Sequence, residues 1–464
     1  MRLKFHTKPW VHQIKAMKYF MPREYGALYT DMGSGKTKVM VDLIVNRGFN
    51  KVLIVCPKKV CNVWPGEFIK HAPNCHICVI DVSNIVGKEK STRVRESVAN
   101  KGITQQVIII NYESVWRSPF REFLLKYKLD CIICDESHKI KSPGSKCSRF
   151  LTLLGKRVDN RFLMTGTPLG QSPMDIYAQY RFLDPTIFGT NFATFKDRYC
   201  NLIKVAGGFY SVLNKKEPYK NLDELHEKMF SCAFKSDTNI KLPDTQDIMV
   251  EFFLSQKAEV LYKELQKEGC LELSEGTLET GNILAIITRL QQLVSGYIPL
   301  TNDEGERTLT QVDTSRQDTL RELLEDLPDD EPVVIFAKYR KDINNIRNIV
   351  KSMGRKSSEL SGKSDTLHRW KEGKTTVLVV QISSGAEGID LTRARYCIYY
   401  TLTPSLIQYE QSRKRIHRPG QNRPVVYYTL VAKMKKGKTV DEKIVDSLKN
   451  NKSIVDSIME DREI

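Results

Sequence analysis

The chain has 464 residues, 41% of them hydrophobic, enough for two or three packed domains, which excludes a disordered scaffold. Lys and Arg number 72 against 55 Asp and Glu, a formal charge of +17 that calls for a polyanionic partner, nucleic acid first. No apolar run reaches the roughly 18 residues of a membrane helix, so no spanning segment is expected.

Met1 to Gln13 carries basic residues but no apolar stretch and no small-residue cleavage pattern, so it does not read as a secretory signal and a cytoplasmic location is expected. From Gly26 to Thr167 short apolar runs alternate with helical stretches: Ala27–Tyr29, Val52–Cys56, Ile77–Ile80, Val107–Ile110, Cys131–Cys134 and Phe162–Met164. That rhythm predicts an α/β lobe with a buried parallel sheet, assigned to residues 1–170. Residues 171–310 read as a mainly helical insertion and connector, with helices over Leu254–Glu268 and Asn282–Val294 and a hairpin-like insert around Ala206–Asn214. Strand runs return at Val333–Ala337, Val377–Gln381, Cys397–Tyr400 and Val425–Val431, followed by a helical pattern over Val440–Met459, giving a second α/β lobe over 311–464.

The eleven cysteines are odd in number and irregular in spacing, which reads as reduced thiols. Two C-x-x-C pairs, Cys75/Cys78 and Cys131/Cys134, lie too far apart for one zinc site and fall in strand-like runs, where residues three apart point to opposite faces. They read as small buried hydrophobes.

The order of strand, loop and helix around Thr30-Asp31-Met32-Gly33-Ser34-Gly35-Lys36-Thr37 is that of a phosphate cradle. Gly33 and Gly35 let backbone N–H groups converge on phosphate oxygens, Lys36 balances the β- and γ-phosphates of ATP, and Thr37 holds Mg²⁺. A chance Gly-Lys-Thr in a turn is the bland alternative. A second motif weakens that alternative: the strand run Cys131–Cys134 ends in Asp135-Glu136-Ser137-His138, which puts two carboxylates where α/β sheets bind ligands. Asp135 suits a water-mediated hold on Mg²⁺, and Glu136 suits the general base that orients the attacking water.

The remaining segments resemble the Swi/Snf-like branch of superfamily 2 helicases and translocases, from about Gln13 to Gln421. Pro57-Lys58-Lys59 with Asn62, Trp64 and Glu67 is similar to motif Ia, and Asn111-Tyr112-Glu113 to motif Ib. Asp135–Ser142 is similar to motif II, and Leu163-Met164-Thr165-Gly166-Thr167-Pro168-Leu169 to motif III. Further on, Val334-Ile335-Phe336 resembles motif IV and Ser384-Gly385-Ala386-Glu387-Gly388-Ile389-Asp390-Leu391 resembles motif V. The run from Gln411 to Gln421, ending His417-Arg418-Pro419-Gly420-Gln421, resembles motif VI in its Swi/Snf form.

The resemblance implies two RecA-like lobes enclosing ATP and Mg²⁺, with Arg415 and Arg418 as arginine fingers worth about 10³- to 10⁵-fold in rate. It implies adenine recognition by Gln13, further nucleotide contacts from Ser34, Gly388 and Asp390, and coupling by Thr165, Gly166, Thr167 and Gln411. Contacts to the DNA backbone fall to Pro57, Lys58, Trp64, Asn111, Tyr112, Ser384 and Gly385. The implied function is ATP-driven movement along duplex DNA; a monomer is expected, and the lack of a recognisable histone-reading, nuclease or zinc module points to a bacterium or a phage-infected host as the source. Strand separation, an RNA substrate or a non-hydrolysing clamp are the alternatives. Asp390 in place of the family's Asn, Leu402-Thr403-Pro404 in place of Trp-Asn-Pro, and Lys414 in place of Asp bear on DNA grip and coupling rather than on phosphate chemistry.

Overall fold

The computed structural model describes residues 3–73, 75–97, 105–170, 172–204, 211–214, 216–236, 242–274, 280–301, 307–385 and 389–459. Gly388 and the tip of the insert at 205–210 lie outside the described residues. The chain divides into two compact units, Met1–Ile240 with Ser453–Ile464, and Lys241–Lys452. Among the described residues no helix is long and apolar enough to cross a membrane.

In the first unit the apolar runs become β1 (Tyr25–Thr30), β2 (Lys51–Cys56), β3 (Ile77–Asp81), β4 (Gln105–Asn111), β5 (Cys131–Asp135) and β6 (Asn160–Met164). A hairpin of β7 (Leu202–Lys204) and β8 (Ser211–Leu213) stands apart, and β9 (Ala233–Ser236) joins the main sheet. That sheet has the order β3-β4-β2-β5-β6-β1-β9 and every neighbouring pair is parallel. Alternation along each strand serves two helical layers: Val52, Ile54 and Cys56 enter one core, Leu53 and Val55 the other. Gly26 in β1 is required by close approach, since a Cβ there would lie 2.7 Å from the Phe20 ring and 3.0 Å from the Cys232 carbonyl oxygen.

The sheet order decides which loops meet. The cradle loop follows β1, Thr165–Thr167 follows β6 and Asp135–Glu136 ends β5, so three functional segments leave the same end of three adjacent strands. The motif Ia and Ib segments follow β2 and β4, the next two strands along that edge.

The second unit opens with β10 (Thr245–Phe253) and a hairpin of β11 (Tyr297–Thr301) and β12 (Arg307–Gln311). It continues with β13 (Val333–Ala337), β14 (Ser357–Leu360), β15 (Val377–Gln381), β16 (Tyr396–Tyr399) and β17 (Val425–Lys433). Its sheet, β10-β17-β16-β13-β15-β14, is again wholly parallel. The expected middle segment 171–310 is divided between the units: helices Ile176–Leu183 and Leu222–Phe230 and strand β9 fall in the first, while β10 and helices Gln256–Ser274 and Thr280–Val294 fall in the second. The nine-residue strand β10 escaped the sequence reading because it is an edge strand whose face is mostly exposed, leaving Thr-Gln-Asp-Ile-Met-Val-Glu with no strong apolar period.

A buried ion pair ties the second unit together. Arg316 donates from Nε to the Val294 carbonyl at 3.0 Å, from Nη1 to the Tyr400 carbonyl and from Nη2 to Asp441. Both side chains are out of water. Removing one partner of such a pair strands the other charge at a cost of about 3–5 kcal/mol. Arg316→Met is therefore expected to lose roughly that much stability in urea unfolding, and Arg316→Met/Asp441→Leu to recover most of it. Equal losses in both proteins would refute the pairing.

Candidate nucleotide and motor site

The cradle is built from local rules. Helix α2 (Lys36–Arg47) starts on Gly35, which sits in the left-handed region at φ 73°, and no side chain caps it. Its first N–H groups are therefore available to an anion, aided by the helix dipole. Gly35 is required twice over, because a Cβ there would also lie 2.3 Å from the Gln13 amide nitrogen. Thr30, where the general motif has a glycine, closes the loop by a 2.8 Å hydrogen bond between its hydroxyl and that of Ser34. Lys36 is buried, and its ammonium donates to the Thr30 and Asp31 carbonyls at 2.9 Å each. Thr37 is half-buried on the first turn.

Gln13 lies on helix α1 (Val11–Phe20) and is only 3% exposed. Its amide nitrogen donates to the Ser34 and Gly35 carbonyls at 3.2 and 3.4 Å, and its oxygen accepts from the Trp10 N–H at 2.8 Å. The His12 ring nitrogen Nε2 adds a 2.8 Å contact to the Ser34 carbonyl. The expectation for Gln13 was adenine recognition; the structure gives its amide to the cradle itself. Trp10, 48% exposed and tilted against His12 with centroids 5.5 Å apart, stands beside it.

Asp135 is buried at the end of β5. Burial first, and the neighbouring Glu136 carboxylate second, raise its carboxyl from the ordinary 3.8 to about 7, while Lys36 and the Trp64 indole pull the other way. The Trp64 Nε1–H donates to Asp135 Oδ2 at 3.3 Å, and the Tyr112 hydroxyl donates to the Asp135 carbonyl at 2.6 Å.

Glu136 adopts φ 52°, ψ 54°, a left-handed conformation costly for a residue with a Cβ, by about 1–2 kcal/mol. That twist turns the carboxylate toward β6. Its Oε2 accepts from the Thr165 hydroxyl at 3.1 Å and lies 3.4 Å from His138 Nδ1, which is itself 3.2 Å from the Thr165 hydroxyl. The Thr167 N–H donates to the same Thr165 oxygen at 3.1 Å. Gly166 packs on the cradle, a Cβ there falling 3.4 Å from the Thr30 carbonyl. Gln179, fully buried, accepts from the Ser137 hydroxyl at 2.7 Å and donates to the Pro168 carbonyl at 2.8 Å, joining the two segments from behind.

In the second unit, Gln411 and Arg415 are buried on helix Leu406–Ile416, and the Arg415 carbonyl accepts from the Leu391 N–H at 3.0 Å. Arg418 is half-buried, with Nη1 3.4 Å from the Ile389 carbonyl and a buried Nε that has no hydrogen-bond partner among the described residues. Asp390 accepts from the Thr392 N–H and hydroxyl at 2.9 and 2.8 Å, so it fixes its own turn. Gln421 donates to the Thr392 and Ala394 carbonyls at 3.1 and 2.8 Å and anchors the end of the segment. Ser384 and Gly385 lie in the short helix Ile382–Gly385.

Residues 12–296 match the SNF2-related domain and residues 315–420 match the helicase conserved C-terminal domain. The first match alone takes in more than half of the sequence. This chain belongs to the SNF2-related family. The SNF2-related chain is 24% identical to putative protein p41 of Acyrthosiphon pisum secondary endosymbiont phage 1, over 98% of each protein. It is 25% identical to the DNA repair and recombination protein RDH54 of Saccharomyces cerevisiae over 94% of its own length, and spans about half (51%) of that relative. Among solved structures it resembles the Sulfolobus solfataricus SWI2/SNF2 ATPase core in complex with dsDNA, at 21% identity and a TM-score of 0.44, over 99% of this chain and 95% of that one.

The structure places most of the expected first-unit nucleic-acid residues of the SNF2-related chain inside the fold. Trp64 is 0% exposed, and Asn111 and Tyr112 are also buried. Pro57 is buried too, which leaves Lys58 as the exposed member of the first-unit set. Trp64 and Tyr112 hold Asp135, and Asn111 donates to Glu113 at 2.7 Å. Cys131 and Cys134 are buried in β5, whereas Cys75 lies before β3 rather than in it. The sequence reading missed the roles of His138 and Gln179; only their polarity inside apolar surroundings could have drawn attention to them.

A raised carboxyl has a signed effect on stability. Between its ordinary value and about 7, the unfolded chain gives up the Asp135 proton first, so folding of nucleotide-free protein weakens as pH rises through that window. Asp135→Asn carries no charge at any pH. Its melting temperature, measured in EDTA, is expected to gain on the parent's between pH 5 and pH 8; a constant difference would contradict the assignment.

Proposed function

We propose that the chain hydrolyses ATP and uses the cycle to move along duplex DNA. The observation that carries this reading is the convergence of the cradle loop, the Asp135–Glu136 pair and Thr165–Thr167 at one end of three adjacent strands. The triphosphate lies on the N-terminus of α2, and Lys36 exchanges its two backbone carbonyls for phosphate oxygens. The residues present fit a divalent cation: a buried carboxylate beside an uncapped helix start, with the Thr37 hydroxyl on that turn. Thr37 and Asp135 would hold Mg²⁺, which when bound neutralises charge on the β- and γ-phosphate oxygens.

Glu136 is the base that orients the attacking water, and its link to Thr165 ties the state of the γ-phosphate to the segment after β6. Arg415 and Arg418 supply positive charge to the transition state. The DNA reading rests on the +17 charge, on the exposed Lys58 and Lys59, and on the family's yeast member named for DNA repair and recombination.

Steady-state ATPase assays with duplex DNA, single strands, RNA or no nucleic acid decide the matter. Duplex is expected to stimulate turnover most, and the stimulation to fall steeply between 50 and about 200 mM salt. Preference for single strands or RNA would favour a strand-separating enzyme, and no turnover anywhere would leave a binding module. Glu136→Gln should lower kcat by roughly 10²- to 10⁴-fold while ATP still binds. Turnover at the parent rate would refute Glu136 as the base.

A further inference from the structure

A second recess in the first unit has no part in the ATP site. It has a volume of about 760 Å³ and lies between the Trp116–Arg121 segment and helix Lys146–Gly155. Four cations line it, Arg117, Arg121, Lys146 and Arg149, together with Trp116 and Phe150, and no carboxylate does. All four cations are exposed, and none makes an ion pair among the described residues. Like charges gathered on a surface without counter-charge leave a positive potential that water and salt screen only in part, and an anionic occupant is what would neutralise it.

The aromatic rings narrow the class of anion. Lys146 Nζ lies 5.3 Å from the centroid of the Trp116 ring and the Arg117 guanidinium 5.6 Å, so the half-buried indole is flanked by two cations. The Arg121 guanidinium is 5.9 Å from the ring of Phe150, which is buried and forms the floor, so the Trp116 indole is the ring open to an occupant, and Leu153 adds an apolar wall that is 40% exposed. Planar apolar surface interleaved with phosphate-seeking charge matches a strand whose bases are unstacked and free to enter. A paired duplex offers phosphates to the rim but cannot insert a base.

A neighbouring recess of about 430 Å³ shares Arg117 and Ser118 with the first and extends to Lys58 and Lys90. Lys90 is buried with its ammonium on the Val82 carbonyl, so the exposed cations that link the motif Ia segment to the aromatic recess are Lys58 and Arg117. The geometry points to a binding site for an unpaired stretch of nucleic acid, one or two nucleotides long, in the recess formed by Trp116, Arg121, Lys146 and Arg149. This rests on the reading that the chain acts on DNA, and it adds a single-stranded element such as a displaced or frayed end. An acidic peptide would satisfy the charges but leave the Trp116 indole unused.

The experiment is fluorescence anisotropy of a labelled oligothymidylate of about 15 nucleotides with full-length protein. Trp116→Ala and Arg121→Ala/Arg149→Ala are the variants, with blunt-duplex-stimulated ATPase measured in parallel. Both variants are expected to weaken the oligonucleotide at least about tenfold and to keep duplex-stimulated turnover within about twofold. An abasic oligomer of the same length should bind the parent more weakly than the thymidylate and bind Trp116→Ala as the thymidylate does. Unchanged oligonucleotide affinity in both variants overturns the site while leaving the duplex reading intact, provided stimulation persists. Loss of stimulation in the parent protein would instead sink the duplex reading. Equal binding of abasic and normal oligomers by the parent, or displacement of both by polyglutamate at matched charge, would overturn recognition of bases.

Discussion

Asp135 is an acid largely withdrawn from water, and much of the first unit is arranged around that fact. A lone carboxylate in such a place is costly, so the surrounding segments supply what water would have supplied: an indole N–H from α3 (Val63–His71), a hydroxyl on the adjoining carbonyl, and the charge of Lys36. The indole and the hydroxyl come from the segments after β2 and β4, the same ones that resemble nucleic-acid motifs, and Lys36 from the cradle helix after β1. Their aromatic members therefore point inward, to the acid, and their lysines outward. The segments join the nucleotide side of the unit to its basic surface through side chains a few ångströms long.

Glu136 illustrates the second constraint. A strand that simply continued would point successive side chains to opposite faces, and the two acids would diverge. The left-handed turn at Glu136 breaks the alternation and brings its carboxylate to Thr165 and His138. The conformational cost is met by burial and hydrogen bonding around Ser137 and Gln179. The network has one threonine hydroxyl at its hub, contacted by a carboxylate, an imidazole and a main-chain N–H. Loss of that hydroxyl would leave the carboxylate and the imidazole with only their mutual 3.4 Å contact and free the main-chain N–H.

Much of this was legible in the sequence, for definable reasons. Parallel strands buried on both faces leave continuous apolar runs, and the strands carrying the cradle and the acids were readable directly as such. The loops that follow them carry fixed residue types, so Lys36, Asp135 and Glu136 could be singled out as candidates, and the sheet order brings their segments together. Strands β9 and β10 were hidden because edge strands need little apolar pattern, and the division at residue 240 was hidden with them. The direction in which Trp64, Asn111 and Tyr112 point was also illegible, since a motif records which residue stands at a place and not which side of the chain it faces. Gln13 shows the converse: its position was identified, but its buried bonds to the cradle carbonyls depend on how α1 lies against α2.

Those bonds from Gln13 and His12 to the carbonyls of Ser34 and Gly35 have a thermodynamic consequence. A glycine-containing loop left to itself samples many conformations, and a ligand that selects one of them must meet the entropy of all the others. Here the selection has been made within the protein, by a helix docked on its own core. The nucleotide meets a finished concavity, and more of its intrinsic affinity survives as net binding free energy. The ordering of the Ser34–Gly35 part of the loop then belongs to the folding of the chain rather than to the arrival of ATP, which is left to move Lys36.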